Sequence, residues 1–304
     1  MSNELLSPQE SLAKNGESFH WAKRFLGQKI GNDAAQLYAF CRLLDDMADG
    51  DIENGPERLI QIKKCFLNQE TQPDPILENF YPLMEEHDFP KDVIVALIDG
   101  LLSDQEENVE FEDEAELIRY AYRVAGTVGI LMCKVLSCKD PVADAHAIDL
   151  GIGMQLTNIA RDVLEDAQLG RRYIPASWVN GMTPEEIIQA SKSPNSQEAK
   201  IVTDAVQRLI DLAEIFYSSG NTGLKYLHWR AHLSISIAAK VYRQIGIQLE
   251  KKGCPWHSGR EITSKRTKIL CSLKASQSLA TRFRKKGNRH DKSLHKPLGG
   301  LPFV

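Results

Sequence analysis

The chain has 304 residues, 42% hydrophobic and 26% charged, which is apolar content enough for the core of one or two globular domains. Its net charge is −4 and its pI about 6.1, so no overall basic field invites nucleic acid. Six cysteines include no Cys-x-x-Cys pair, which argues against a thiolate metal centre and fits free thiols in a reducing cytosol.

In chain order, nearly every segment reads as helix, and strand-like alternation is missing. Met1 to Leu6 lacks a basic run followed by an apolar one, so no signal peptide is expected and a cytoplasmic location is. Residues 18–26 place Phe19, Ala22, Phe25 and Leu26 on one face. Asp33 to Asp49 predicts a long helix with Leu37, Phe40, Cys41, Leu44 and Ala48 on its apolar side, stopped by Gly50. Pro56 opens a helix through Phe66, and further helices are expected over 76–86, 90–104 and 113–138. The last contains Gly126 and Gly129, each costing about 1 kcal/mol against alanine inside a helix. They mark either a break or a place where small residues admit a ligand or a neighbouring backbone, and the adjacent Tyr120 and Tyr122 favour the second. The most apolar stretch, Val124 to Cys138, carries Lys134 and is too short to span a bilayer.

Pro141 starts a helix holding Gly151 and Gly153, and residues 167–183 read as loop. Thr183-Pro184-Glu185-Glu186 is a helix start with cap, proline and returning glutamate. Residues 191–196 form a connection, and helices are expected at 197–218, 222–250 and 260–284. The end is basic, with Lys265, Arg266, Lys268, Lys274, Arg282, Arg284, Lys285, Lys286 and Arg289. That pattern fits a solvated helix and a tail frayed from about 285, or contact with anionic membrane. A His-Asp metal phosphohydrolase is disfavoured, the pair His290-Asp291 lying in this tail.

Two acidic stretches carry the chemistry. Asp45 and Asp49 are four apart, as are Asn158, Asp162 and Asp166, so each set shares one helix face among apolar residues. Each alone is most often a solvated helix end. Two such sets in apolar patterns imply repelling carboxylates that need a cation between them, and all-oxygen ligands select Mg²⁺, with Mn²⁺ as an alternative. Asn158 ligates without adding repulsion. Arg42 and Arg161 lie three residues from Asp45 and Asn158. They form intrahelical ion pairs, or they join the metal in holding a phosphate-rich ligand.

These residues resemble the phytoene/squalene synthase family. The resemblance rests on Asp45-Asp46-Met47-Ala48-Asp49, on Gln155 to Asp166, and on Gly170-Arg171-Arg172-Tyr173-Ile174-Pro175. Val124 to Gly129 and Ser18-Phe19 add to it, in family order from about Ser18 to Arg260. It implies an all-α, single-domain helical bundle spanning 1–304 around a deep apolar cavity, of the class I isoprenoid synthase type. It implies Mg-dependent head-to-head condensation of two prenyl diphosphates through a cyclopropylcarbinyl diphosphate. Catalytic residues would be Asp45, Asp49, Asp162, Asp166, Tyr120 and Tyr242. Substrate contacts would come from Arg42, Asn158, Arg161, Arg260, Gln155 and Ser18. The length and the Arg161-to-Ala167 run favour two geranylgeranyl diphosphates giving phytoene, with no NADPH expected. A thirty-carbon synthase is the runner-up, a terpene cyclase is disfavoured by Asp162 and Asp166, and a non-catalytic helical partner subunit is the alternative of another class. Arg172 and Asn15 depart from the family's usual residues and bear on the mouth of the site. Gly126, Gly129, Gly151 and Gly153 are the small residues expected along the tunnel.

Overall fold

The computed structural model describes residues 6–69, 73–106, 108–259, 263–281 and 290–304. Among them lie thirteen α-helices: α1 (Pro8–Asn15), α2 (Glu17–Lys23), α3 (Gln28–Ala48), α4 (Gly55–Phe66), α5 (Pro75–Glu86), α6 (Lys91–Ser103), α7 (Glu114–Ala121), α8 (Thr127–Val135), α9 (Val142–Gln168), α10 (Pro184–Ser191), α11 (Gln197–Gly223), α12 (Trp229–Lys251) and α13 (Lys265–Thr281). The fold is an all-α bundle. Its axis is α9, a 27-residue helix that packs against α8, α10, α11 and α12. Ile148, Ile152, Leu156, Ile159, Ala160 and Val163 of α9 are buried, which is the amphipathic spacing that makes a central helix.

Several boundaries follow the sequence closely. Thr183 and Glu186 close a capping box at the start of α10. Other boundaries move, and each shift has a packing cause. Helix α3 starts at Gln28, one turn before Asp33, because Gly27 takes a φ of 86° and turns the chain into it. Asp33 is then interior, 3.3 Å from His87 Nε2. The stretch expected as one helix from 113 to 138 is α7, a five-residue π turn (Tyr122–Gly126) and α8.

The glycines explain that π turn. A Cβ on Gly151 would stand 2.3 Å from the Ala125 carbonyl oxygen, and one on Gly129 would stand 2.3 Å from that of Ala147. Glycine on both sides lets the two backbones touch. Gly220 and Gly223 do the same for α11, where a Cβ would meet Leu150 and His146, so α11 runs on to Gly223 instead of stopping at 218.

Two small features lay outside the sequence reading. Val109–Glu110 (β1) pairs in parallel with Arg171–Arg172 (β2), tying the start of the α6–α7 region to the segment after α9. Residues 290–304 are not frayed. A 3₁₀ turn over Lys292–Leu298 buries Leu298 completely, and Arg119 donates to the carbonyls of Pro297 (2.7 Å) and Gly299 (3.1 Å). The Tyr122 hydroxyl donates to the Pro302 carbonyl.

Candidate active site

A cavity of about 750 Å³ opens inside the bundle, within the span of about 300–1,000 Å³ usual for small-molecule sites. It follows α9 from His146 to Arg161, about 22 Å at 1.5 Å per residue. Apolar side chains such as Leu97, Val128, Met132, Leu150 and Met154 line its depth. Its polar end gathers Arg42, Asp45, Asp104, Asn158 and Arg161.

Helices α3 and α9 deliver the two acidic sets to this end. Asp45 lies on the last turn of α3, and Asp49 caps that helix. Arg42 bonds Asp45 at 2.7 Å and also pairs with the fully buried Asp46. On α9, Arg161 grips Asp162 with two donors, at 2.7 and 2.5 Å. Arg42 and Arg161 are therefore paired to the acidic sets and also face the cavity.

Electrostatics show how near the sets are. Burial lifts Asp45 to about 7, with Arg42 pulling down and Asp49, Asp46 and Asp104 pushing further up. Its side chain is 42% accessible, but that surface faces the cavity, whose walls still deprive the charge of bulk water. Burial, with Asp162 next, lifts Asp166 to about 8 against the pull of Arg171, and Asp104 again adds to the rise. Asp104 thus acts on both sets.

Asp104, just past the end of α6, was not singled out from sequence. Burial raises it to about 6, although the hydroxyls of Tyr120 and Tyr173 each donate to it at 2.8 Å. The two tyrosine rings stack with centroids 4.8 Å apart. A lone aspartate ending an apolar helix leaves little trace in a sequence. Arg171, within the Gly170-to-Pro175 motif, lies 3.5 Å from Asp49 and within electrostatic reach of Asp104 and Tyr173. Lys268, counted with the basic end, is instead buried and lines the cavity.

The remaining expected residues divide clearly. Ser18, Tyr120, Gln155, Asn158 and Tyr242 line the cavity. Tyr242 packs its ring 5.2 Å from Phe19 and adds to the electrostatic surroundings of Arg161 and Tyr38. Asp49, Asp162 and Asp166 do not line the cavity, though Asp49 acts on Asp45 inside it and the cavity-lining Arg161 holds Asp162. Arg260 and the side chain of Asn15 lie outside the described residues. Arg172 does not bear on the mouth: it is buried and donates to the carbonyls of Phe111 and Ile174 and to Glu110, pinning the β1–β2 pair. The tunnel expectation holds for two glycines. Gly129 and Gly151 touch the cavity, whereas Gly126 and Gly153 face Tyr122, Ile148, Ala213 and Tyr217 in the packing around it.

The donor set fits a hard divalent ion. All five expected ligands offer oxygen, and the buried Asn158 Oδ1 has no hydrogen-bond partner. None of the four carboxylates belongs to a group of three His, Cys, Asp or Glu ligand atoms within 4.8 Å of one another, so they do not form a closed all-protein cage. Mg²⁺ needs no such cage, since it takes one or two carboxylates and completes its shell with water and phosphate oxygens.

Comparisons with known proteins bear on the family and the fold. The squalene/phytoene synthase family profile matches residues 12–269. A 15-cis-phytoene synthase of Paracoccus sp. (strain N81106 / MBIC 01143) is 34% identical over 281 residues, 88% of this chain and 90% of that protein. A 15-cis-phytoene synthase of Pantoea ananas is 30% identical over 306 residues, 95% of this chain and 96% of its own. Among solved structures, a dehydrosqualene synthase superposes with a TM-score of 0.75 at 23% identity, covering 90% of this chain and 95% of that one. That likeness is one of fold, and the fold is the class I isoprenoid synthase bundle.

Proposed function

The chain belongs to the squalene/phytoene synthase family, and from that premise we propose that it condenses two geranylgeranyl diphosphates head to head into phytoene. The observation that carries the reading is the pair of acidic sets at one end of a long apolar cavity. The likeness over most of the chain to two proteins named 15-cis-phytoene synthase supports the twenty-carbon substrate.

Asp45, Asp49, Asn158, Asp162 and Asp166 would hold Mg²⁺ or Mn²⁺, which when bound supplies the positive charge that makes a diphosphate a competent leaving group. Arg42, Arg161 and Arg171 add fixed cationic donors at the same end and orient the phosphates. The apolar walls keep water from the allylic cation left behind. The faces of Tyr120 and Tyr242 stabilise that cation, and the Asp104 carboxylate fixes the Tyr120 ring by its hydroxyl. The cyclopropylcarbinyl diphosphate formed first ionises in the same cavity, rearranges and loses a proton. That sequence needs no hydride, so NADPH has no part in it.

No helix among the described residues is long and apolar enough to cross a membrane. The outer face of α13 exposes Ile269, Leu270 and Leu273 beside Arg266 and Lys274, and we place contact with an anionic membrane there.

Product analysis tests the reading. Purified protein with Mg²⁺ and no NADPH is given geranylgeranyl or farnesyl diphosphate, and the hydrocarbons are extracted. Phytoene from the longer substrate is the expected result. A thirty-carbon product from farnesyl diphosphate, with no turnover of the longer substrate, would sink it.

A further inference from the structure

A second cluster of ligand-type side chains lies far from the diphosphate end. Asp149 is fully buried on α9, thirteen residues before Asp162, or about 20 Å along the helix. Its Oδ2 accepts from His290 Nε2 at 2.8 Å and from the Ser219 hydroxyl at 2.5 Å, and its Oδ1 accepts from His295 Nε2 at 2.8 Å. One carboxylate oxygen and one ring nitrogen from each histidine lie within 4.8 Å of one another. A third imidazole, His146, is one turn earlier on α9, its ring 5.2 Å from that of His290.

Charge decides what this cluster needs. A buried carboxylate with no compensating positive charge is costly. Among the described residues no lysine or arginine forms an ion pair with Asp149. Two neutral imidazoles supply hydrogen bonds and no charge. Two imidazolium rings, their centroids 4.4 Å apart, would repel each other. One imidazolium beside a neutral imidazole would balance the carboxylate, and a divalent transition ion would balance it with both rings neutral. It uses neutral imidazole lone pairs and one carboxylate, the mixed nitrogen and oxygen set that Zn²⁺ accepts. Bonds of about 2.0–2.2 Å to zinc set tetrahedral ligand atoms roughly 3.3 Å apart, so the 2.8 Å pairs need open by only about half an ångström.

We propose that Asp149, His290 and His295 supply three ligands of a Zn²⁺-class metal site, water taking the fourth position, that fastens residues 290–304 to α9. The fastening has a consequence for the fold. The segment it anchors receives Arg119 and Tyr122, which belong to α7 and the π turn behind the cavity wall. The site is separate from the Mg²⁺ ligands in position and in ligand chemistry, since imidazole nitrogen suits zinc and all-oxygen sets suit magnesium.

The test uses the full chain without a histidine tag. Metal content after dialysis is measured by mass spectrometry, zinc affinity by titration, and coordination by the visible spectrum of Co²⁺ added in place of zinc. The expected result is one zinc per chain, a tetrahedral Co²⁺ spectrum, and a thermal midpoint that EDTA lowers and Zn²⁺ restores. In His295→Ala and His290→Ala, zinc affinity should fall by more than the roughly 10–100-fold that loss of even an outer-shell partner brings. Asp49→Asn should keep the whole zinc response. The proposal is overturned if wild-type protein neither retains zinc nor gains stability from it, or if His295→Ala responds to zinc as wild type does. A thermal midpoint that follows pH through histidine titration and ignores zinc would likewise overturn it, leaving a protonated hydrogen-bonded clamp.

Discussion

Asp166 is held in a form that water would not favour, raised to about 8 by burial and by Asp162. Replacing it by asparagine removes a repelled charge, so Asp166→Asn should leave the thermal midpoint of the metal-free protein at pH 8 unchanged or higher. Turnover should nevertheless fall by about 10²–10³-fold, the scale set by losing one strong electrostatic group at a reacting centre. Circular dichroism melts and steady-state rates measured on one preparation check both halves. Near-normal turnover at saturating Mg²⁺ would remove Asp166 from the metal set. The pH dependence follows from the same shifts. Asp104 at about 6, Asp45 at about 7 and Asp166 at about 8 all stand above their ordinary value of 3.8. Between those limits the folded state holds more protons than the unfolded one, so stability falls as pH rises. Without divalent ions, the melting temperature should drop from about pH 6 to about pH 8.5, and Asp166→Asn should flatten the drop. A midpoint that rises over this interval contradicts the assignment. At this scale the sequence showed the two acidic sets, because four-residue spacing is a local property. Asp104 and Lys268 escaped it because their importance comes only from what other helices bring beside them.

Helix spacing made the class of fold legible, since apolar periodicity and caps such as Thr183 with Glu186 are written locally. Breaks were harder to place. Helices were expected at 197–218 and 222–250, whereas α11 runs on through Gly220 and Gly223, whose close contact with Leu150 and His146 depends on a helix some seventy residues away. The two-residue β1–β2 pair was invisible for the same reason: it is held by Arg172, whose partners are distant in sequence. Helix α13 carries its own prediction. Its inner residues Cys271 and Ala275 pack on Ile237, Ala238 and Val241, while Ile269, Leu270 and Leu273 face outward. Binding to anionic vesicles should weaken as salt rises, because surface charge is screened within about 10 Å at 0.1 M salt. Leu270→Asp with Leu273→Asp should weaken it further without lowering the melting temperature. Sedimentation with vesicles reads both effects, and binding that ignores salt and both substitutions would dismiss α13 as the contact.

The whole molecule is a wall of helices around a cavity with a polar end and a long apolar body; in the proposed reaction the polar end ionises the substrate and the apolar length measures it. Cavity length was not legible in the sequence, because it is set by residues from α1 to α13 that share no motif. Its measuring role rests on buried area. Each tail of the twenty-carbon substrate carries five more carbons than the fifteen-carbon one, on the order of 4 kcal/mol at about 0.8 kcal/mol per buried CH₂. Ala147 lines the cavity fourteen residues from Arg161, about 21 Å down α9 from the polar end. A phenylalanine there would fill the deep end and leave the acidic sets untouched. The most direct test is therefore the ratio of kcat/KM for geranylgeranyl over farnesyl diphosphate, in wild type and in Ala147→Phe protein of unchanged melting temperature. The account predicts a wild-type ratio well above one and a variant ratio at least tenfold lower, with farnesyl turnover retained. A ratio that Ala147→Phe leaves unchanged would contradict the claim that this cavity holds the prenyl chain.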